Sequence, residues 1–222
     1  MSNNDKIILD LCGGTGSWSK PYREAGYDVR VITLPRYDVT KVEFDSYGMD
    51  FLRQDVHYME SMCIPYHGVY GILAAPPCTE FSLAKNGSPT PRDLAAGMET
   101  VEACLRIIWA CQEGGNLAFW AMENPVGLLR RFLGRPKYTF RQGEFGDPGV
   151  KPTDIWGFFG EPRKTVSQMP EGITKRYKSG KVNTLAWTAP KHPEYAHLNL
   201  DRAALRAITP PGFAQAFYKA NK

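Results

Sequence analysis

The chain has little that would mark a secreted, metal-binding or membrane protein. Its five cysteines, Cys12, Cys63, Cys78, Cys104 and Cys111, form an odd set without a C-x-x-C pair, so neither a disulfide framework nor a zinc site is indicated. The four histidines, His57, His67, His192 and His197, show no ligand spacing beyond the loose pair His192 and His197, which reads as surface residues, and no metal is expected. No apolar run is long enough to span a bilayer, and no charged-then-apolar leader opens the chain. A reducing cytoplasm is the expected setting. The dinucleotide fingerprint is also missing, because Gly13, Gly14 and Gly16 do not give the G-x-G-x-x-G spacing. A net charge of +4 is too mild to decide by itself whether the partner is a nucleic acid.

What is present fits one compact domain over 1–222. A chain of 222 residues, 43% hydrophobic and 23% charged, can bury a sizeable core without a second domain. Apolar runs alternate with helical patterns. Lys6–Leu11, Tyr27–Thr33, Val69–Ala75 and Leu117–Met122 read as strands, and Ser19–Ala25 can open a helix. The clearest helix runs from about Pro91 to Glu113, where Leu94, Met98, Val101, Leu105 and Ile108 recur at helical spacing. A short helix over Val126–Leu133 and two or three strands up to Phe159 complete an α/β, doubly wound, mostly parallel sheet with helices on both faces.

Three strand ends carry chemistry. Lys6–Leu11 runs into Cys12-Gly13-Gly14-Thr15-Gly16-Ser17-Trp18-Ser19, a glycine-rich strand-to-helix turn that lets a ligand approach the backbone. Val69–Ala75 runs into Pro76-Pro77-Cys78, which presents a candidate nucleophile on a stiffened backbone. Leu117–Met122 runs into Glu123-Asn124-Pro125, and a partly buried glutamate there can act as an acid. Parallel strands in one sheet would bring Gly14, Cys78 and Glu123 to a single edge. Each residue also has a plainer reading: a core cysteine, a tight turn, a solvated carboxylate. The polar loop Thr79–Pro89 beyond Cys78 could close over a bound ligand.

In the same order, Asp10-Leu11-Cys12-Gly13-Gly14-Thr15-Gly16-Ser17, Pro76-Pro77-Cys78-Thr79-Glu80-Phe81-Ser82 and Glu123-Asn124-Pro125 resemble the first, fourth and sixth motifs of the cytosine-C5 DNA methyltransferases. Thr209-Pro210-Pro211-Gly212-Phe213-Ala214 resembles that family's last motif, so 200–222 would return to the cofactor site. The closest flavour is that of short phage or prophage members. The resemblance implies a Rossmann-like methyltransferase fold, S-adenosylmethionine as cofactor and cytosine in DNA as substrate. Cys78 would add to C6 of the base, Glu123 would hold N3 and the exocyclic amine, and C5 would take the methyl group; the base that removes the C5 proton is not named by the sequence.

The same resemblance implies cofactor contacts from Asp10, Cys12, Gly13, Gly14, Gly16, Ser17, Trp18 and Pro76, with Asp55 as the adenine-contacting acid after a third strand, Met49–Leu52. No carboxylate follows the second strand directly, and Asp38 is the nearest substitute for a ribose-binding acid. Ser82, Asn124, Lys151 and Thr153 fall where substrate contacts are expected. The family's Gln-x-Arg-x-Arg strand is reduced here to Arg141 alone, and Lys151 either takes over its task or is an edge-strand lysine in solvent.

The segment 160–199 is basic and rich in proline and glycine, with Arg163, Lys164, Lys175, Arg176, Lys178, Lys181 and Lys191. It stands where typical members carry a much longer target-recognition domain, and reads as a phosphate-contacting surface or as a solvated loop. A helper protein for target recognition is one expectation that follows. Two further readings stay open: the same chemistry on RNA or a free pyrimidine nucleotide, and a non-catalytic nucleic-acid-binding relative.

Overall fold

The computed structural model describes residues 2–56, 60–147, 151–166, 174–176, 182–184 and 193–222. Six strands form the main sheet: β1 (Ile7–Leu11), β2 (Asp28–Ile32), β6 (Val69–Ala74), β7 (Phe119–Pro125), β8 (Tyr138–Arg141) and β9 (Pro152–Phe158), in the order β2-β1-β6-β7-β9-β8. The first four in that order are parallel, whereas β9 runs antiparallel to both β7 and β8. The sheet is therefore mixed, with its antiparallel pair confined to one side.

Side chains alternate between two cores, as strand geometry requires. Leu9, Leu11, Ile72, Ala74 and Met122 join one buried cluster; Ile8, Leu73, Phe119 and Ala121 join the other. Helix α2 (Leu94–Glu113) covers the first face with Val101, Cys104, Ile107, Ile108 and Cys111. It starts later than Pro91 because the Asp93 carboxylate caps it, accepting the Ala96 N–H at 2.9 Å. The second face is covered by α1 (Lys20–Glu24), which supplies Tyr22, and by α5 (Pro211–Ala220), which supplies Phe213 and Phe217. The α5 N-terminus is held by Asp147, whose carboxylate accepts the Gly212 and Phe213 N–H groups at 3.1 and 3.2 Å.

The chain departs from a simple alternation in three places. Residues expected as a third parallel strand form a separate antiparallel sheet of β3 (Glu43–Phe44), β4 (Gly48–Leu52) and β5 (Ser61–Pro65). The second short helix, α3, spans only Arg130–Leu133. The strand predicted to end at Met122 continues, so Glu123 and Asn124 lie inside β7, opposite Ile155 and Asp154. In the basic region β10 (Thr174–Arg176) pairs with β11 (Val182–Thr184), and α4 (Arg202–Ala207) precedes the last helix. Lys178, Lys181, Lys191, His192 and His57 lie outside the described residues. No helix among the described residues is long and apolar enough to cross a membrane.

One buried charge pair locks the antiparallel edge. Asp154 on β9 is fully buried and accepts Arg130 Nε and Nη2 at 2.6 Å each, while the Thr139 hydroxyl donates to it at 2.7 Å. Removing the guanidinium leaves a buried carboxylate with one donor. Arg130→Met is expected to lower the unfolding free energy by about 2 kcal/mol, with the double variant Arg130→Met/Asp154→Leu recovering most of it in urea titrations. Equal stabilities of wild type and Arg130→Met would show that this pair does not hold the edge.

Candidate active site

The glycine turn is built from below by a buried carboxylate. Asp10, near the end of β1, is fully buried, and a Cβ at Gly13 would overlap its carboxylate, so only glycine can lie across it. The Ser19 hydroxyl stands 2.5 Å from Asp10 Oδ2 and 3.2 Å from the Gly16 carbonyl. Burial raises the Asp10 carboxyl to about 6, against the opposing Ser19 hydrogen bond and the Arg23 charge. The Ser19 hydroxyl donates to Asp10 Oδ2 and so ties the carboxylate to the start of α1. Above this support Gly14 is exposed in the left-handed region, with φ +55, and nothing lies within 4 Å of where its Cβ would stand. That open space is bounded by the loop after β2, since Gly14 N–H donates to Thr33 Oγ1 at 3.3 Å.

The Cys78 thiol and the Glu123 carboxylate arrive from neighbouring strands, β6 and β7. Pro76 is buried and its carbonyl accepts Asn124 Nδ2 at 3.0 Å, which ties the Cys78 loop to β7. Cys78 is half-buried, and burial pushes its thiol above the usual range; the nearby Glu123 carboxylate adds to that, while Lys151 and Arg206 oppose it. Lys151 Nζ lies 3.8 Å from Glu123 Oε1, with both side chains mostly covered, at 24% and 17% exposure. Thiol, carboxylate and ammonium thus form one partly dehydrated group. Thr153 is buried beside them, with its hydroxyl 3.4 Å from the Lys151 carbonyl, so it supports Lys151 rather than facing solvent. Ser82 accepts the Ala84 N–H and caps a short turn, Leu83–Lys85.

Several expectations are corrected. Trp18 is buried, its ring 5.9 Å from Phe213 and 5.4 Å from Phe217, so it anchors α5 and presents no surface at the turn. Asp10 and Ser17 likewise act from beneath; the Ser17 hydroxyl accepts the Thr209 N–H at 3.0 Å and brings the C-terminal segment to the turn. The Cys12 side chain reaches inward, and its hydrogen bond, followed by burial, raises the Cys104 thiol of α2 well above its usual range. Arg141 is exposed at the end of β8 and its N–H donates to Glu144, so the cations acting on Cys78 are Lys151 and Arg206 instead. Asp38 caps a surface turn through Thr40. Asp55 follows β4 of the separate antiparallel sheet rather than a strand of the main sheet, yet it pairs with Arg53 at 2.9 Å and Arg36 at 3.7 Å, beside the loop after β2.

Arg206 was not foreseen; its only sequence signal is its place three residues before the Thr209-Pro210-Pro211-Gly212 motif. Among the described residues no cluster of histidine, cysteine and carboxylate side chains could hold a metal ion. No protein-family model and no curated protein matches the chain, so the reading of the site rests on its residues and their geometry.

Two measurements follow. Asp10 in the folded chain holds its proton from about pH 4 to about 6, where the unfolded chain releases it, so this group favours folding at low pH and that gain is lost as pH rises through 6. Asp10→Asn should remove a fall of up to about 3 kcal/mol in unfolding free energy between pH 4 and 6.5; parallel pH dependences of variant and wild type would contradict it. At the thiol, Glu123→Gln should speed Cys78 alkylation by iodoacetamide at pH 8, and Lys151→Met should slow it. Unchanged rates in both would separate these side chains from Cys78.

Proposed function

We propose that the protein is an S-adenosylmethionine-dependent methyltransferase that modifies C5 of cytosine in DNA through a covalent Cys78 adduct. The observation that carries the reading is the grouping of Cys78, Glu123 and Lys151 beside one another, from the loop after β6, from β7 and from the lead into β9, with β6 next to the strand that ends in the glycine turn. A binding module has no use for a half-buried thiol next to a carboxylate.

The turn suits the cofactor, because the open space over Gly14 gives access to the main chain, while Gly13 lets the turn lie directly across the buried Asp10 carboxylate. The main chain at Cys12, Gly13, Gly14 and Gly16 would hold it with Pro76, and Asp55 would reach it from beside Arg36, in the loop after β2. Bound there, S-adenosylmethionine supplies an electrophilic methyl group. Cytosine C5 is a poor nucleophile until Cys78 adds to C6 and gives the ring enamine character. Glu123 takes the N3 side of the ring, where it shares or gives a proton as charge builds up. A proton shared with Glu123 removes one of the two influences that raise the thiol, burial being the other and larger. Lys151 keeps Glu123 in place and offsets its charge. C6 is shielded inside a duplex, so the base is flipped out or already unpaired. Lys151 and Arg206 beside the thiol, with exposed Arg131 and Arg163 elsewhere on the surface, give the cations a polynucleotide needs.

The test offers the purified protein labelled S-adenosylmethionine with duplex DNA, single-stranded DNA, RNA and deoxycytidine monophosphate, with Cys78→Ala as control. Label is expected in DNA as 5-methylcytosine and absent with Cys78→Ala. Label confined to RNA or the nucleotide would replace the substrate, and full activity in Cys78→Ala would remove the nucleophile.

A further inference from the structure

In the segment that begins at Cys78, the carbonyls of Cys78, Glu80, Phe81 and Ser82 all accept hydrogen bonds. The Phe81 and Ser82 N–H groups donate back to the Cys78 carbonyl at 3.0 and 2.8 Å, which makes a tight turn directly after the thiol. Further along, the Phe81 carbonyl accepts the Leu128 N–H at 2.9 Å, and those of Glu80 and Ser82 both go to Arg92, at 2.5 and 2.8 Å. The same guanidinium reaches Asn86 Oδ1 at 2.8 Å, further along the loop. Glu80 adds a second tie: its carboxylate pairs with Lys85 at 2.6 Å and accepts the Asp93 N–H at 2.7 Å, at the start of α2. Between these ties the Phe81 ring is fully buried.

We propose that Arg92 is a positioning residue for Cys78: its guanidinium clamps the carbonyls of Glu80 and Ser82 and so fixes the turn that aims the thiol toward Glu123. It touches no reacting atom. The planar fork of arginine suits this task, since it offers several N–H groups in fixed directions to acceptors on both sides, which a lysine cannot match. Without it, two half-covered carbonyls lose their donors, and the loop opens at a fraction of the cost of unfolding. The inference rests on reading Cys78 as the nucleophile, but its effect on the thiol can be measured without any methyl transfer.

The cysteines supply their own controls, because Cys63 is exposed while Cys104 and Cys111 are buried. Iodoacetamide alkylation, resolved by cysteine through peptide mapping, is compared in wild type, Arg92→Ala and Arg92→Lys. Loss of two hydrogen bonds should raise the reactivity of Cys78 relative to Cys63 by about tenfold in Arg92→Ala, with Cys104 and Cys111 still protected. Arg92→Lys should lie between the two. If methyl transfer is found, both variants should lower kcat and leave the KM for the cofactor unchanged; its absence would count against the proposed reaction but not against the clamp. A Cys78 to Cys63 ratio equal to wild type in both variants overturns the proposal. Reaction of Cys104 and Cys111 in both variants also overturns it, because Arg92 would then hold the whole fold rather than one turn.

Discussion

Leu11, Ala74 and Met122 stand abreast in three hydrogen-bonded parallel strands, and the candidate site depends on that register. Parallel pairing sends all three chains in one direction, so the glycine turn, the Cys78 loop and Glu123 emerge on the same side of the sheet. A slip of one residue in β7 would turn Glu123 and Asn124 to opposite faces and break the Asn124 bond to the Pro76 carbonyl. The two cores guard against such a slip, because Phe119 and Ala121 fit one cluster and Met122 the other.

Around this edge the polar groups are shared among elements far apart in sequence. Cys78 comes from the end of β6, Glu123 from β7, Lys151 from the lead into β9, and Arg206 from α4. Lys151 and Arg206 favour the thiolate, while Glu123 and burial disfavour it. Burial is the largest of these influences, and the balance holds the thiol above its ordinary range. Lys151 therefore has two roles, one toward Glu123 and one toward the thiol. The glycine turn repeats the theme, since the carboxylate of Asp10 supports it without facing the open space above Gly14.

The strands β1, β2, β6 and β7 could be read from their apolar runs, and α2 from its repeat of apolar residues, because local periodicity and burial agree there. Their boundaries shifted where a single contact decides the end, as with Asp93, which caps α2 so that it begins at Leu94, three residues beyond Pro91. Met49–Leu52 was readable as a strand but not as part of a separate sheet, since alternation does not name a partner. Trp18 illustrates the limit at the site. Its position beside the turn suggested a ligand contact, and only the packing of Phe213 and Phe217, nearly 200 residues away, turns it inward. Arg92 and Arg206 carried no motif at all.

The sequence by itself determined that three strands stand at these places and which residue types accompany their C-terminal ends: the glycines after β1, the cysteine after β6 and the glutamate in β7, because local propensity and turn chemistry act over a few residues. Tertiary structure decided which of these groups meet and in what electrostatic state. Lys151 became a partner of Glu123 and Arg141 did not, Trp18 became core, and the thiol of Cys78 moved above its ordinary range. The reason is physical: burial and Coulombic interaction depend on distance in space, and the chain reveals that distance only when the sheet has been assembled.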